Sequence, residues 1–240
     1  MPISQSIKAT LQIASTQLKT EASVFEAQLL LQYALGVNRA WLIAHEHDAL
    51  QPNIQMVFEA LLNRRIAGEP MAYIMGSREF YGLDLLVTPD TLIPRPDTET
   101  LVDAALAKIL DNPNQSILDL GTGTGAIALA VAKHRPKVYV VAVDASAAAL
   151  EVAKKNAASL AITNVRLMLS DWFDALAGER FDLIVSNPPY IEQNDVHLTE
   201  GDVRFEPISS GFSSRTRWRR LTRHGVGFRR INGRTSAAMC

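Results

Sequence analysis

The 240-residue chain predicts an α/β protein in two parts: a small all-α domain, then a Rossmann-like parallel sheet whose strands alternate with helices. Three observations predict it. Apolar residues recur at three- and four-residue spacing through residues 1–75, the period of amphipathic helices. After residue 115 the apolar runs ILDL, VYVVAVD, VRLML and FDLIV alternate with helix-length segments, which calls for a parallel sheet with right-handed crossovers. Between the first run and its helix lies a glycine-rich turn at residues 121–125, where such sheets bring backbone close to a bound nucleotide.

Each element has a local reason. In the first domain, assigned to residues 1–75, Ser23 and Glu26 have the spacing of a capping box ahead of VFEAQLLLQYAL, and Gly36 suits the left-handed residue that ends a helix. A second helix is expected from about Ile54 to Ala67, ended by Gly68. Residues 76–96 combine aromatic and β-branched residues with Gly82, Pro89, Pro94 and Pro96; this suits a short hairpin and an extended linker between domains. The second domain, residues 97–210, opens with the helical DTETLVDAALAKIL and continues as strand, glycine turn and helix in SILDLGTGTGAIALAVAKHRP. Residues 211–240 hold eight arginines and no acid, without helix or strand periodicity, a composition that reads as disorder.

Composition excludes several classes. With 48% hydrophobic and 20% charged residues and no apolar run near the ~18 residues of a membrane span, no membrane segment is expected. The N-terminus lacks the basic start and apolar stretch of a secretion signal, so a cytoplasmic home is expected. The lone cysteine, Cys240, excludes a disulfide framework. His45 and His47 diverge on a helix, and His134, His197 and His224 have no partners at ligand spacing, so no metal is expected. The net charge of −1 hides a contrast: residues 1–210 carry 16 basic and 25 acidic groups, a balance of −9. That balance repels a phosphate backbone. The helical domain has five basic and six acidic residues, which favours a protein partner over nucleic acid.

The chemistry concentrates at the strand ends. Gly121, Thr122, Gly123, Thr124 and Gly125 form the turn; taken alone, Gly121, Gly123 and Ala126 also satisfy a dinucleotide-binding pattern. Asp144 closes the next strand, 19 residues after Gly125, where a carboxylate accepts hydrogen bonds from a ribose diol. Asp119, just before the glycines, would repel a pyrophosphate but suits the cationic amino-acid end of S-adenosylmethionine. Asp171 and Trp172 follow the third strand, placed to accept from an adenine amino group and to pack on its face. Phe80 and Tyr81 could cover the site from the hairpin, though plain packing is the stronger expectation.

Asn187-Pro188-Pro189-Tyr190 follows the strand FDLIV. The prolines remove two backbone donors and stiffen the loop, leaving the Asn187 side-chain oxygen and the Pro188 carbonyl as acceptors for one NH2 group. An amide or aryl amine is a poor nucleophile, so orienting its lone pair towards a methyl donor is what such a site must do. Accepting both N–H hydrogens favours the charge that develops on nitrogen, and Tyr190 could wall the planar group. By these residues alone, glutamine and adenine both remain open as targets.

With LDLGTGTGAIALA, AVDAS, SDWF, SNPPYI, IPRPDTE and GDVRFEP in order, the chain resembles the HemK-type release-factor glutamine methyltransferases up to about Pro207. The resemblance implies an S-adenosylmethionine methyltransferase sheet and S-adenosyl-L-methionine as cofactor. It also implies as substrate the glutamine of the Gly-Gly-Gln motif in peptide chain release factors, held partly by the helical domain. It assigns Gly121 to Gly125, Asp144, Trp172 and Asn187 to the cofactor, and Asn187 to Tyr190 to the substrate, with Asn187 and Pro188 holding the target amide. An adenine-amino DNA or RNA methyltransferase and a catalytically dead fragment that still docks a release factor are the rival readings. The departure comes after FEPIS, where the family continues into strands that complete a seven-stranded sheet. A shifted reading frame or truncation is expected there, with an unpaired sheet edge; a genuine basic tail touching ribosomal RNA is the rival account of residues 211–240.

Overall fold

A computed structural model of the chain describes residues 5–109, 115–187, 204–207, 227–228 and 237–239. The chain divides into two compact units, Met1–Met75 and Gly76–Cys240.

The first unit contains α1 (Ile7–Gln17), α2 (Ser23–Leu35), α3 (Arg39–Ala44), α4 (Pro52–Ile66) and α5 (Met71–Met75). Ile7, Leu30, Leu31, Leu50 and Phe58 are fully buried and tie these helices into one core. Ser6 and Asn38 cap α1 and α3 by accepting from the Ala9 and Trp41 amides at 3.3 and 2.9 Å. As expected, α2 ends on Gly36 in the left-handed region, φ 67°. The second expected helix, α4, starts two residues early because Pro52 carries a φ already suited to a first turn.

The capping box does not form. Ser23 lies inside the first turn of α2, Ala22 occupies the cap position, and no side chain caps the helix. Glu26 accepts instead from the Thr20 hydroxyl at 3.0 Å and from the Arg65 guanidinium at 3.0 and 2.8 Å. A carboxylate only 8% exposed gains more from a forked, charge-assisted pair than from one backbone N–H.

The second unit opens with a hairpin of β1 (Ser77–Phe80) and β2 (Leu83–Leu86). Tyr81 and Gly82 both take positive φ, 51° and 75°, as a two-residue turn of matching twist requires. Phe80, Leu83 and Leu85 pack with Leu101, Val102 and Ala105. The segment read as an inter-domain linker therefore places its hairpin in the core of the second unit.

After a short 3-10 turn, Pro96–Thr98, come α6 (Glu99–Lys108), β3 (Ser116–Leu120), α7 (Ala126–His134), β4 (Tyr139–Asp144), α8 (Ala147–Ser159), β5 (Val165–Leu169), β6 (Arg180–Phe181) and β7 (Leu183–Ser186). Two short strands follow, β8 (Gly227–Phe228) and β9 (Ala237–Met239). The main sheet runs β5-β4-β3-β7-β9 with every pair parallel. Ile117, Val140, Ala142 and Val185 face one apolar cluster, which α6 and α7 help form. Leu118, Val141, Val143 and Ile184 face another, with Phe173, Leu176 and Phe181. Burial on both faces is why the strands read as nearly continuous apolar runs.

The expectation of an unpaired edge beside β7 is corrected. Ile184, Val185 and Ser186 pair with Ala237, Ala238 and Met239, and β6 pairs with β8. The residues read as lacking strand character thus supply two strands. A free row of backbone N–H and C=O groups is a template for any extended segment. Among the described residues no helix is long and apolar enough to cross a membrane.

Candidate active site

The predicted site residues that are described lie along one rim of the sheet. Leu120 pairs with Val143 on one side and Ser186 on the other, and Asp144 pairs with Leu169. Gly121, Asn187 and the Ser170–Trp172 stretch therefore follow the carboxyl ends of β3, β7 and β5, and Asp144 closes β4 between them. At roughly 4.8 Å per strand the rim from β5 to β7 spans about 14 Å, and this is the side on which open α/β sheets bind ligands.

The turn at 121–125 divides its work. Gly121, Gly123 and Gly125 have φ of 72°, 56° and 84°. A Cβ on Gly121 or Gly123 would meet nothing within 4 Å, whereas one on Gly125 would lie 3.0 Å from Leu129 and 3.3 Å from Ala153. The first two glycines hold an open cradle, and the third lets α7 lie close to α8. The turn is pinned from several sides. The Gly121 and Thr122 amides donate to the Val143 carbonyl at 2.9 and 3.0 Å, and the Gly123 amide donates to Asp144 Oδ2 at 2.8 Å. Thr122 and Thr124 are buried; the Thr122 hydroxyl donates to Asp119 Oδ2 at 2.7 Å.

Asp144 also accepts from the Ser146 amide at 2.9 Å through Oδ1. Each carboxylate oxygen keeps a further lone pair, so both can still accept from a ligand. Asp119 is fully buried, and its Oδ1 has no hydrogen-bond partner among the described residues. Burial pushes its carboxyl up to about 7, with the Asp144 charge adding to the shift and the Thr122 hydroxyl and Ala128 amide opposing it. An orphaned carboxylate oxygen beside an open glycine cradle fits a ligand with a cationic end.

At the far end of the rim Trp172 takes φ 56° and packs against Phe173 with ring centroids 6.4 Å apart. The Ser170 hydroxyl donates to the Trp172 carbonyl at 2.9 Å and accepts from the Ala175 amide at 3.1 Å, holding the Asp171-Trp172 turn in place. At the near end the Asn187 Nδ2 donates to Thr98 Oγ1 at 3.2 Å. Beside it the Ser186 hydroxyl donates to the Leu120 carbonyl at 2.9 Å. Pro188, Pro189 and Tyr190 lie outside the described residues.

Phe80 and Tyr81 take the packing role. Phe80 is 1% exposed in the core, and the Tyr81 hydroxyl donates to Asp103 while its ring meets His134 edge-on at 5.0 Å. Three pins were not singled out in the sequence: Thr98, Ser186 and Asn156. Asn156, fully buried in α8, donates to the Leu86 and Thr124 carbonyls at 3.0 and 2.9 Å and accepts from the Leu86 amide at 2.7 Å. An asparagine in mid-helix is poorly favoured unless its side chain is employed, and that was the available signal. A cavity of about 390 Å³ opens at the opposite end of the strands, beside the Arg166–Glu179 ion pair, and none of the described site residues lines it. Among the described residues no group of three or more His, Cys, Asp or Glu is placed to hold a metal ion.

Residues 98–203 match the methyltransferase small domain family, and residues 9–76 match the PrmC N-terminal domain. A release factor glutamine methyltransferase from Bordetella pertussis is 52% identical over 183 residues, 76% of this chain and 67% of that protein. Those from Escherichia coli and Salmonella typhimurium are 49% and 54% identical, over 82% and 77% of this chain and 71% and 66% of theirs. Two domain families matched in sequence order, a parallel sheet with its glycine turn at the rim, and relatives near half identity converge: the chain belongs to the release factor glutamine methyltransferase family.

Proposed function

We propose that this chain methylates the side-chain amide nitrogen of the glutamine in the Gly-Gly-Gln motif of peptide chain release factors, using S-adenosylmethionine. A translation factor as substrate implies a cytoplasmic setting. The observation that carries the reading is the position of Asn187: it stands one strand from the glycine cradle, with its Nδ2 occupied by Thr98. That arrangement leaves Oδ1 to accept from a substrate NH2. When bound, the cofactor supplies a methyl group on a sulfonium. Gly121 and Gly123 admit its backbone-facing side, the buried Asp119 balances its ammonium, Asp144 accepts from its ribose hydroxyls, and Asp171 with Trp172 receives the adenine. Thr122, Thr124 and Gly125 shape the turn rather than reach out of it.

Asn187 Oδ1 and the Pro188 carbonyl accept the two hydrogens of the target NH2, which orients a nitrogen whose lone pair is otherwise delocalised into the amide carbonyl. The same acceptors stabilise the positive charge that grows on nitrogen as its bond to carbon forms and the carbon–sulfur bond breaks, and one of the two N–H protons is then lost to water. The family resemblance assigns Pro189 and Tyr190 to the substrate as well. The test is incubation with labelled S-adenosylmethionine and purified release factor. Label on the factor, lost when its motif Gln becomes Ala and when Asn187→Ala is introduced here, is the expected result. Label on an oligonucleotide but not on the factor would overturn the choice of substrate, and docking without any label would mark a non-catalytic binding chain.

A further inference from the structure

The segment between the hairpin and α6 is braced at both ends. Arg95 Nη2 donates to Glu206 Oε1 at 2.7 Å, and the same oxygen accepts from the Ile93 amide at 3.4 Å. Glu206 is only 3% exposed at its side chain, so its anchorage fixes the backbone of this segment from the interior. The Thr98 amide then donates to the Arg95 carbonyl at 3.0 Å, closing the Pro96–Thr98 turn. Thr98 is 8% exposed, and its hydroxyl receives the Asn187 side chain across 89 residues of sequence. A rigid turn thus delivers one oxygen to one amide.

A side-chain amide has two orientations about its last bond, nearly equal in shape, that exchange an acceptor oxygen for a donor NH2. The reaction tolerates only one of them. A substrate NH2 needs an acceptor, and the flipped amide would set donors against donors. We propose that Thr98 is a positioning residue for methyl transfer: its hydroxyl accepts from the Asn187 Nδ2 and anchors that side chain at the end of β7, leaving Oδ1 for the substrate amide. This rests on the substrate reading given above.

Thr98→Val keeps the shape and removes the hydroxyl; Thr98→Ser keeps the hydroxyl. With release factor as substrate, Thr98→Val is expected to lower kcat about five- to tenfold, the worth of one hydrogen bond, with KM for the factor changed less than twofold or so. Thr98→Ser is expected to stay within about twofold of the unaltered chain. Equal turnover in Thr98→Val, an equal fall in both variants, or a loss confined to KM would overturn the inference. If the unaltered chain methylates no release factor, the substrate reading fails instead, and a double-mutant cycle decides the contact by itself. Urea unfolding of the full chain with Thr98→Val, Asn187→Ala and both together is expected to show coupling of about two- to tenfold in the unfolding constant. Additive effects would overturn the inference.

Discussion

Replacing Asp119 by asparagine reads out the electrostatics of the glycine turn directly. Burial pushes this carboxyl from its ordinary 3.8 up to about 7. At every pH between those values the folded chain holds a proton that the unfolded chain has released, so stability falls as pH rises through that window and is level above it. Each pH unit is worth about 1.4 kcal/mol, which gives a ceiling of about 4 kcal/mol. Asp119→Asn keeps an oxygen for the Thr122 hydroxyl at 2.7 Å and cannot ionise. Its stability relative to the unaltered chain is expected to be near zero at about pH 4, to climb with pH, and to level off above about pH 7. Urea unfolding at several pH values measures the difference, and the other acids cancel between the two chains. A difference that stays flat with pH would refute the argument that this carboxyl is desolvated. The same variant loses the anion that the ligand's cationic end would find, so cofactor affinity is expected to fall even where stability improves.

The glycine turn gives a paired test: Gly125→Ala, whose Cβ would meet Leu129 and Ala153 at 3.0–3.3 Å at a positive φ, is expected to cost about 2–4 kcal/mol of stability. Gly121→Ala has open space and is expected to cost about 1–2 kcal/mol yet to lose more cofactor affinity, as calorimetric titration would show. Asn156→Ala strips partners from the Leu86 amide and from the Leu86 and Thr124 carbonyls; a loss of about 3 kcal/mol or more is expected in urea unfolding. Arg65→Met takes the forked donor from Glu26, whose side chain is 11% exposed, and is expected to cost about 3–5 kcal/mol; Glu26→Gln added to it is expected to recover part of that loss.

What the sequence reveals here is what neighbouring residues decide. The strands and helices of the second unit follow from local apolar period, and Gly36 and the turn at 121–125 follow from the positive φ that glycine permits. Partners chosen across the fold are hidden. Glu26 sits at capping-box spacing from Ser23, yet Arg65, 39 residues on, takes it. Asn187 was legible as an acceptor, but Thr98, which orients it from 89 residues away, was not. β9 was illegible for another reason: the free backbone of β7 selects it, not any propensity of Ala237–Met239.

The rim and the sheet are held by different forces, and that separates their vulnerabilities. The strands are fixed by apolar burial on both faces, which is non-directional and tolerates small shifts. The strand ends are held by directional hydrogen bonds, among them Asp144 with Gly123, Ser186 with Leu120, Asn156 with Thr124 and Thr98 with Asn187. Each of these specifies a direction, and each joins two different segments of the chain. Methyl transfer depends on alignment of a lone pair with a reacting carbon, so a misplacement of about 1 Å at the rim costs turnover far more than it costs folding. Removing the Ser186 hydroxyl illustrates the point: β7 keeps its ladder to β3, but the step from Ser186 to Asn187 loses the bond that registers it against Leu120 and the first glycine. The polar pins set the geometry of the rim, and the apolar core supplies the platform beneath them.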